Sequence, residues 1–216
     1  MAVENSVRSQ TPARATKSRQ KREQIKLAAM DLILEFGYEA ASLDLICKKA
    51  GCSKSAIYEH FSNKEGLLAA LTEDAALELS EALHAFHLQG LSVEDTLRHY
   101  AELVLTRILE ERHVAIVRST IAALHKYPEL GPAYYRVGGR TGKAGLTHYF
   151  AIQAAEGHLI IPDPEWAADE FQGILFWERL LAQIVGARSA PDEREIKEHS
   201  KRAVDSFLQR YKRDAG

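Results

Sequence analysis

Between Gly51 and Glu65 the chain reads GCSKSAIYEHFSNKE, and Lys54, Ser55, Tyr58, His60 and Lys64 there can all donate hydrogen bonds to an anion. Alanine or glutamate would serve an exposed helix better than this set does. Two lysines, two hydroxyls and an imidazole suit a large, flat, negatively charged partner. Cations and hydroxyls grip phosphate oxygens, and a long lysine stem reaches base edges. The same residues also suit an ordinary solvated face, and their types alone leave both readings open.

Two short helices have to position this cluster. Ser42 can cap a helix over Leu43–Ala50 that Gly51 stops, and Ser53 can cap the next, which ends near Phe61. Gly51 permits a sharp reversal between them because φ > 0 costs glycine little. Leu43, Ile46, Cys47, Ala50, Cys52, Ile57 and Phe61 supply a small core together with a preceding helix. The opposite face of the third helix then presents Lys54, Ser55, Ala56 and Glu59, flanked by Tyr58 and His60. This is a helix-turn-helix candidate, and such a motif lays its second helix in the major groove. An α–α corner without DNA is the alternative reading of the same spacing.

The surrounding pattern is helical throughout. Residues 1–16 are polar, hold Pro12, and are expected to form a disordered basic arm. From Lys17, Ile25, Ala28, Ala29, Leu32, Ile33 and Phe36 follow helical spacing up to Gly37. Ser62 or Asn63 should cap a fourth helix with a stripe from Leu67 to Phe86. Further helices are expected from Ser92, over His113–Lys126, over Pro132–Glu156, over Pro164–Ala187 and over Asp192–Tyr211. His158–Asp163 is strand-like but too short for a sheet. The expected fold is all-α, with a helix-turn-helix domain over 17–66 and a helical body over 67–216.

Charge is nearly balanced over 216 residues, 28 basic against 30 acidic, but unevenly spread. Residues 1–66 hold 11 basic and 8 acidic side chains, leaving 17 and 22 for the rest. A basic end on an acidic body is the footprint of polyanion contact at that end. Cys47 and Cys52 imply no disulfide framework, their spacing fits no common zinc site, and both read as small core residues. Gly138–Gly145 invites a phosphate-loop reading that fails, since Val137 stands at the first glycine position and Ala144 at the Ser/Thr position. His84 and His87 lack a fixed third ligand, so no metal or cofactor is expected. No nucleophile, base and orienting group fall at a recognisable spacing, which argues against an enzyme. Neither a membrane-length apolar run nor a signal peptide is present, so the expected location is the cytoplasm, with no membrane partner.

The run FGYEAASLDLICKKAGCSKSAIYEHFSNKEGLLAAL resembles the DNA-binding domain of the TetR family of bacterial transcriptional repressors. The match lies in Phe36-Gly37-Tyr38, Ala50-Gly51, Ser53, Tyr58, Phe61 and Lys64-Glu65. The body, with HKYPELGPAYYRVG and the closing AVDSFLQRYK, resembles the AefR/AcrR-like branch. The resemblance implies a homodimer that binds a double-stranded DNA operator and answers to a small-molecule effector. It puts Lys54, Ser55 and Ala56 at base edges. Ser42, Tyr58, His60 and Lys64 fall on phosphates, and Arg19, Lys21 and Arg22 beside the backbone or minor groove. Ala56 and Cys52 depart from the threonine and valine common there, and the hydroxyl missing at Ala56 leaves the operator unreadable from the sequence.

The C-terminal helices suggest how two copies would join. Residues 171–185 are apolar nearly all round, as in a helix buried on both sides, and one side is expected to meet a second copy or a ligand. Phe171, Trp177, Leu181, Val204 and Phe207 are the expected dimer contacts, in a four-helix interface. The resemblance also implies a mostly apolar effector pocket, for which Tyr100, Leu103, Phe150, Phe176 and Trp177 are the candidate lining. A ligand-responsive repressor is the main reading. A helical sensor or interaction protein that has lost operator binding is the other.

Overall fold

A computed structural model of the chain describes residues 12–84, 91–136 and 140–212. Its helices are α1 (Pro12–Phe36), α2 (Leu43–Ala50), α3 (Lys54–Phe61), α4 (Lys64–His84), α5 (Val93–Ile108), α6 (Glu111–Ala123), α7 (Leu130–Tyr134), α8 (Arg140–Ala155), α9 (Pro164–Gln172), α10 (Glu178–Ile184) and α11 (Glu193–Tyr211). A π-helical turn, Gly173–Trp177, joins α9 to α10. Among the described residues the sole extended pairing is a bridge between Leu159 and Lys212, and the fold is all-α. No described helix is long and apolar enough to cross a membrane. The chain divides into two units, Met1–Leu67 and Leu68–Gly216.

In the first unit, α1 buries Ile25, Ala28, Ala29, Met30, Leu32 and Ile33, while Phe36 is exposed at its end. The helix starts at Pro12, so residues 12–16, expected in the disordered arm, are its first turns. Proline suits a first turn, where its missing N–H has no partner to lose. Residues 1–11 of that arm lie outside the described residues. Gly37, at φ +80°, ends α1 by donating its N–H to Ile33 O. Ser42 and Ser53 cap α2 and α3 as expected, each accepting from a backbone N–H three residues on. Ile46, Cys47, Ile57 and Phe61 close the small core against α1.

The second unit is built on an apolar cluster from α5, α6, α8, α9 and α11. Along α5, Leu97, Tyr100, Ala101, Val104, Leu105 and Ile108 form a stripe at helical spacing that lies wholly in it. Its centre is aromatic: Phe207 stacks on Phe150 at 4.9 Å between ring centroids and meets Phe171 edge-on at 4.9 Å. This corrects the expected interface. Phe171, Val204 and Phe207 are fully buried within one copy and have no surface left for a second. The helix through 171–185 has two sides. Phe171, Leu175 and Leu180 point inward, while Ile174, Trp177, Leu181 and Val185 are exposed, Trp177 by 65%. The interval of five from Leu175 to Leu180 spans the end of the π turn, where one additional residue per turn resets the helix face.

Of the expected effector lining, Tyr100 and Phe150 are packed in that core, Trp177 is exposed, and Leu103 and Phe176 are half-buried. A cavity of about 450 Å³ is lined by Leu109, Arg179, Gln183, Arg188, Ser189, Ala190, Pro191 and Glu195, none of them among the expected residues. Lys143, from the glycine-rich segment, joins α8 to α9 through Asp169 at 2.8 Å and Glu165 at 3.0 Å. Gly145 of that segment meets open space rather than a packed helix. The side chains of His84, His87 and the C-terminal part of the expected α4 stripe lie outside the described residues.

Candidate nucleic-acid interface

Gly51 takes the left-handed conformation, φ +57°, and turns the chain from α2 into α3. The turn brings the first turns of both helices together, because Lys54 Nζ of α3 lies 2.8 Å from Asp44 Oδ1 of α2. Ser42, the cap of α2, is two residues from Asp44, so it stands at the same end. Both helix starts carry unpaired N–H groups and the positive end of the dipole toward this side. Charge and hydrogen-bond donors therefore converge on one surface.

On α3, Lys54, Ser55 and Tyr58 are exposed, Ala56 and His60 are half-buried, and Ile57 and Phe61 hold the other face in the core. Ser55 Oγ is 2.7 Å from Ser53 Oγ, so the cap residue also orients the next hydroxyl. His60 is edge-on to the Phe61 ring at 6.1 Å. The hydrogen bond to Asp44 raises the Lys54 ammonium above its ordinary value, and the lysine stays charged throughout the neutral range.

Lys64 is anchored differently. Its ammonium sits 4.3 Å from the centroid of the Tyr38 ring and donates to Glu39 O at 3.1 Å. Burial lowers its pKa, against the pull of Glu39 and Glu65. The α1–α2 turn thus holds Lys64 in place, three to four residues before Ser42. Lys21 donates to Gly51 O at 3.3 Å, tying α1 to the reversal, and Arg22 lies 5.1 Å over the Phe61 ring. Arg19 is exposed one turn earlier on α1.

The structure brings Lys54, Ser55, Tyr58 and Ser42 to one surface and puts Lys64 beside Tyr38. It also adds residues that the sequence reading passed over. Asp44 holds Lys54, Tyr38 cradles Lys64, and Gly66 allows α4 to start hard against the end of α3. A Cβ on Gly66 would overlap the Phe61 carbonyl oxygen. Asn63, rather than Ser62, caps α4 by accepting from Gly66 N at 2.6 Å, while Ser62 takes φ +65°. Only the Asn63 cap had a local signal. The other contacts join residues distant in sequence or depend on backbone approach.

Comparison with known proteins points the same way. Residues 25–71 match the model of the bacterial regulatory proteins of the tetR family, and residues 95–213 match that of the AefR-like transcriptional repressor C-terminal domain. The chain is 34% identical over 96 residues to the uncharacterised HTH-type transcriptional regulator YdeS of Bacillus subtilis, spanning 44% of this chain and 46% of that one. Among solved structures, a TetR-family transcriptional regulator from Mesorhizobium loti superposes with a TM-score of 0.82 at 25% identity, covering 91% of this chain and 99% of that one. The flavonoid-responsive regulator FrrA superposes with a TM-score of 0.67 at 28% identity, covering 91% and 100%.

Proposed function

The chain belongs to the TetR family of transcriptional regulators, DNA-binding proteins rather than enzymes, and from that premise we propose that it is a repressor released from its operator by a small lipophilic effector. The observation that carries the DNA half is the convergence of Lys54, Ser55, Tyr58 and the caps of α2 and α3 on one exposed surface. Lys54, Ser55 and Ala56 read bases in the major groove. Ser42, Tyr58, His60 and Lys64 grip phosphates, and Arg19, Lys21 and Arg22 extend that grip along the backbone.

Two copies read two halves of a palindrome, joined through the exposed stripe Ile174, Trp177, Leu181 and Val185. The spacing of these four exposed side chains along one side of the helix supports this role, since a monomer gains nothing by leaving Trp177 in water. An aromatic or lipophilic effector is supported by likeness to the flavonoid-responsive FrrA. It would favour a dimer whose recognition helices are spaced wrongly for the groove. The protein works in the cytoplasm, where operator and effector meet.

Selection from a random DNA library, followed by binding of single-base variants at several salt concentrations, tests this reading. Lys54→Ala should cost about 1–3 kcal/mol at one base position and relax the preference there. Lys64→Ala should weaken all sequences equally and reduce the slope of log K against log salt by about one unit per subunit. Recovery of no enriched, two-fold-symmetric sequence would sink the proposal.

A further inference from the structure

The two cysteines are the only ones in the chain, and the fold places them on either side of the reversal that aims α3. Cys47 lies in the last turn of α2, and Cys52 follows Gly51. The N–H groups of Gly51 and Cys52 both point at Cys47 O, the latter at 3.0 Å. The Cys52 bond is the 6→1 bond of a Schellman turn, and in that turn the side chains of these two positions lie near each other across the glycine. Here the residues at those two positions are cysteines, both free thiols. Cys47 is buried and Cys52 is half-buried, so oxidant reaches Cys52 first.

We propose that Cys47 and Cys52 form a modification site: a dithiol that hydrogen peroxide closes to a disulfide, loosening the grip on DNA. The second half of the proposal rests on the operator-binding reading above. The Cys52 thiolate attacks the peroxide, forming an S–O bond while the O–O bond breaks and water leaves, which makes Cys52 a sulfenic acid. Cys47 then attacks that sulfur. The S–S bond forms, the S–O bond breaks, and a second water leaves. Two thiols lose two electrons and two protons, and the peroxide becomes two waters. A dithiol reductant reverses the change.

Burial, foremost, and contact with Cys52 push the Cys47 thiol up. That makes it a poor first nucleophile, but its place across the turn from Cys52 suits the second step. Closure must bring the two sulfurs to about 2 Å across a turn that already holds a left-handed residue. Ser53, the cap of α3, and Lys54, its first residue, follow Cys52 directly, so the strain falls on the start of the recognition helix. Strained, partly exposed disulfides are the readily reduced, regulatory kind.

The experiment uses the full chain, reduced, freed of reductant and treated with hydrogen peroxide. Trypsin cuts after Lys48 and Lys49, between the two cysteines, so an internal disulfide appears as two linked peptides in a non-reducing map. Binding to the DNA selected above is measured on the same samples. The expected result is the Cys47–Cys52 link with binding weakened about tenfold to a hundredfold, the worth of a lost base contact, and recovery with dithiothreitol. Reduced Cys52→Ser should bind as wild type and resist peroxide, as should Cys47→Val where it folds. Separate sulfinic acids, or links between chains only, would overturn the site. A complete internal link with unchanged affinity would overturn its effect on DNA. If the reduced protein binds no DNA, the operator reading fails, and the peptide map still decides the dithiol.

Discussion

Asp44 holds Lys54 by an ion pair of 2.8 Å across the gap between the starts of α2 and α3, both side chains more than half exposed. On the proposed reading Lys54 waits on a carboxylate of its own domain, and any guanine must compete with that partner. Once Lys54 turned to a base, Asp44 would be left facing a polyanion. The aspartate would then discriminate: binding favourable where the lysine gains a base contact and poor where it does not.

It follows that Asp44→Asn should tighten binding to unrelated DNA more than binding to the operator. The gain on unrelated DNA should be about three- to tenfold at low salt and fade as salt rises, since exposed charges are screened. Fluorescence anisotropy with operator and scrambled duplexes checks it. Equal tightening on both would mean that Asp44 acts only through net charge.

Gly66 sits where α4 leaves the end of α3, and a methyl group there would overlap the Phe61 carbonyl oxygen. In a helix, glycine to alanine ordinarily stabilises by about 1 kcal/mol. Gly66→Ala should instead destabilise by about 1–3 kcal/mol, because backbone must move to admit it. Gly145→Ala on α8 meets open space and should follow the ordinary rule. Thermal melts of the two variants should shift in opposite directions.

The exposed stripe and the buried aromatics of the C-terminal helices make a second contrast. Trp177→Glu should give a folded monomer, since Trp177 is 65% exposed in one copy. Phe207→Ala removes a ring stacked on Phe150 and should cost about 3–5 kcal/mol of stability with the surface stripe intact. Light scattering and circular dichroism separate the two. A Trp177→Glu protein that remains a dimer would move the interface elsewhere.

Much of this was legible in the sequence where the cause is local. The caps Ser42, Ser53 and Ser92 each satisfy an N–H three residues on, and the α5 stripe repeats with the helix itself. The sides of the Phe171–Val185 helix were not legible, because an almost wholly apolar segment carries no period, and the π turn at Gly173–Trp177 resets its phase. Of the proposed DNA-facing set, the residue types could be read. The positions of Lys54 and Lys64 could not, since they depend on Asp44 and Tyr38, brought close by the two turns. Whether Tyr100 and Phe150 line a pocket or fill a core was not legible for a related reason: aromatic side chains at helical spacing suit both, and in the structure both are buried.

A last expectation concerns acid. His113 on α6 is buried, and its Nε2 lies 3.0 Å from the Tyr134 hydroxyl on α7. Burial lowers the histidine to about 4 from an ordinary 6.5, and burial raises Tyr134 to about 12. The fold therefore holds the neutral ring. Between pH 6.5 and about 4 the unfolded chain binds a proton at this position that the folded chain refuses, so stability rises with pH across that window. Above it the contribution is complete. As pH falls through it, about 3 kcal/mol is progressively lost, the order of the full shift. Carboxylates titrate in the lower part of the same window, so the measurement is a difference. Melting temperatures of wild type and His113→Gln are followed from pH 7.5 to 4.5, and glutamine keeps a hydrogen-bonding group near Tyr134 without a titrating ring. Wild type should lose stability faster than the variant as pH drops below 6.5, and the two curves should run parallel above it. Parallel curves throughout would mean that the ring takes up its proton in the folded state, and that the α6–α7 contact opens to water before acid reaches it.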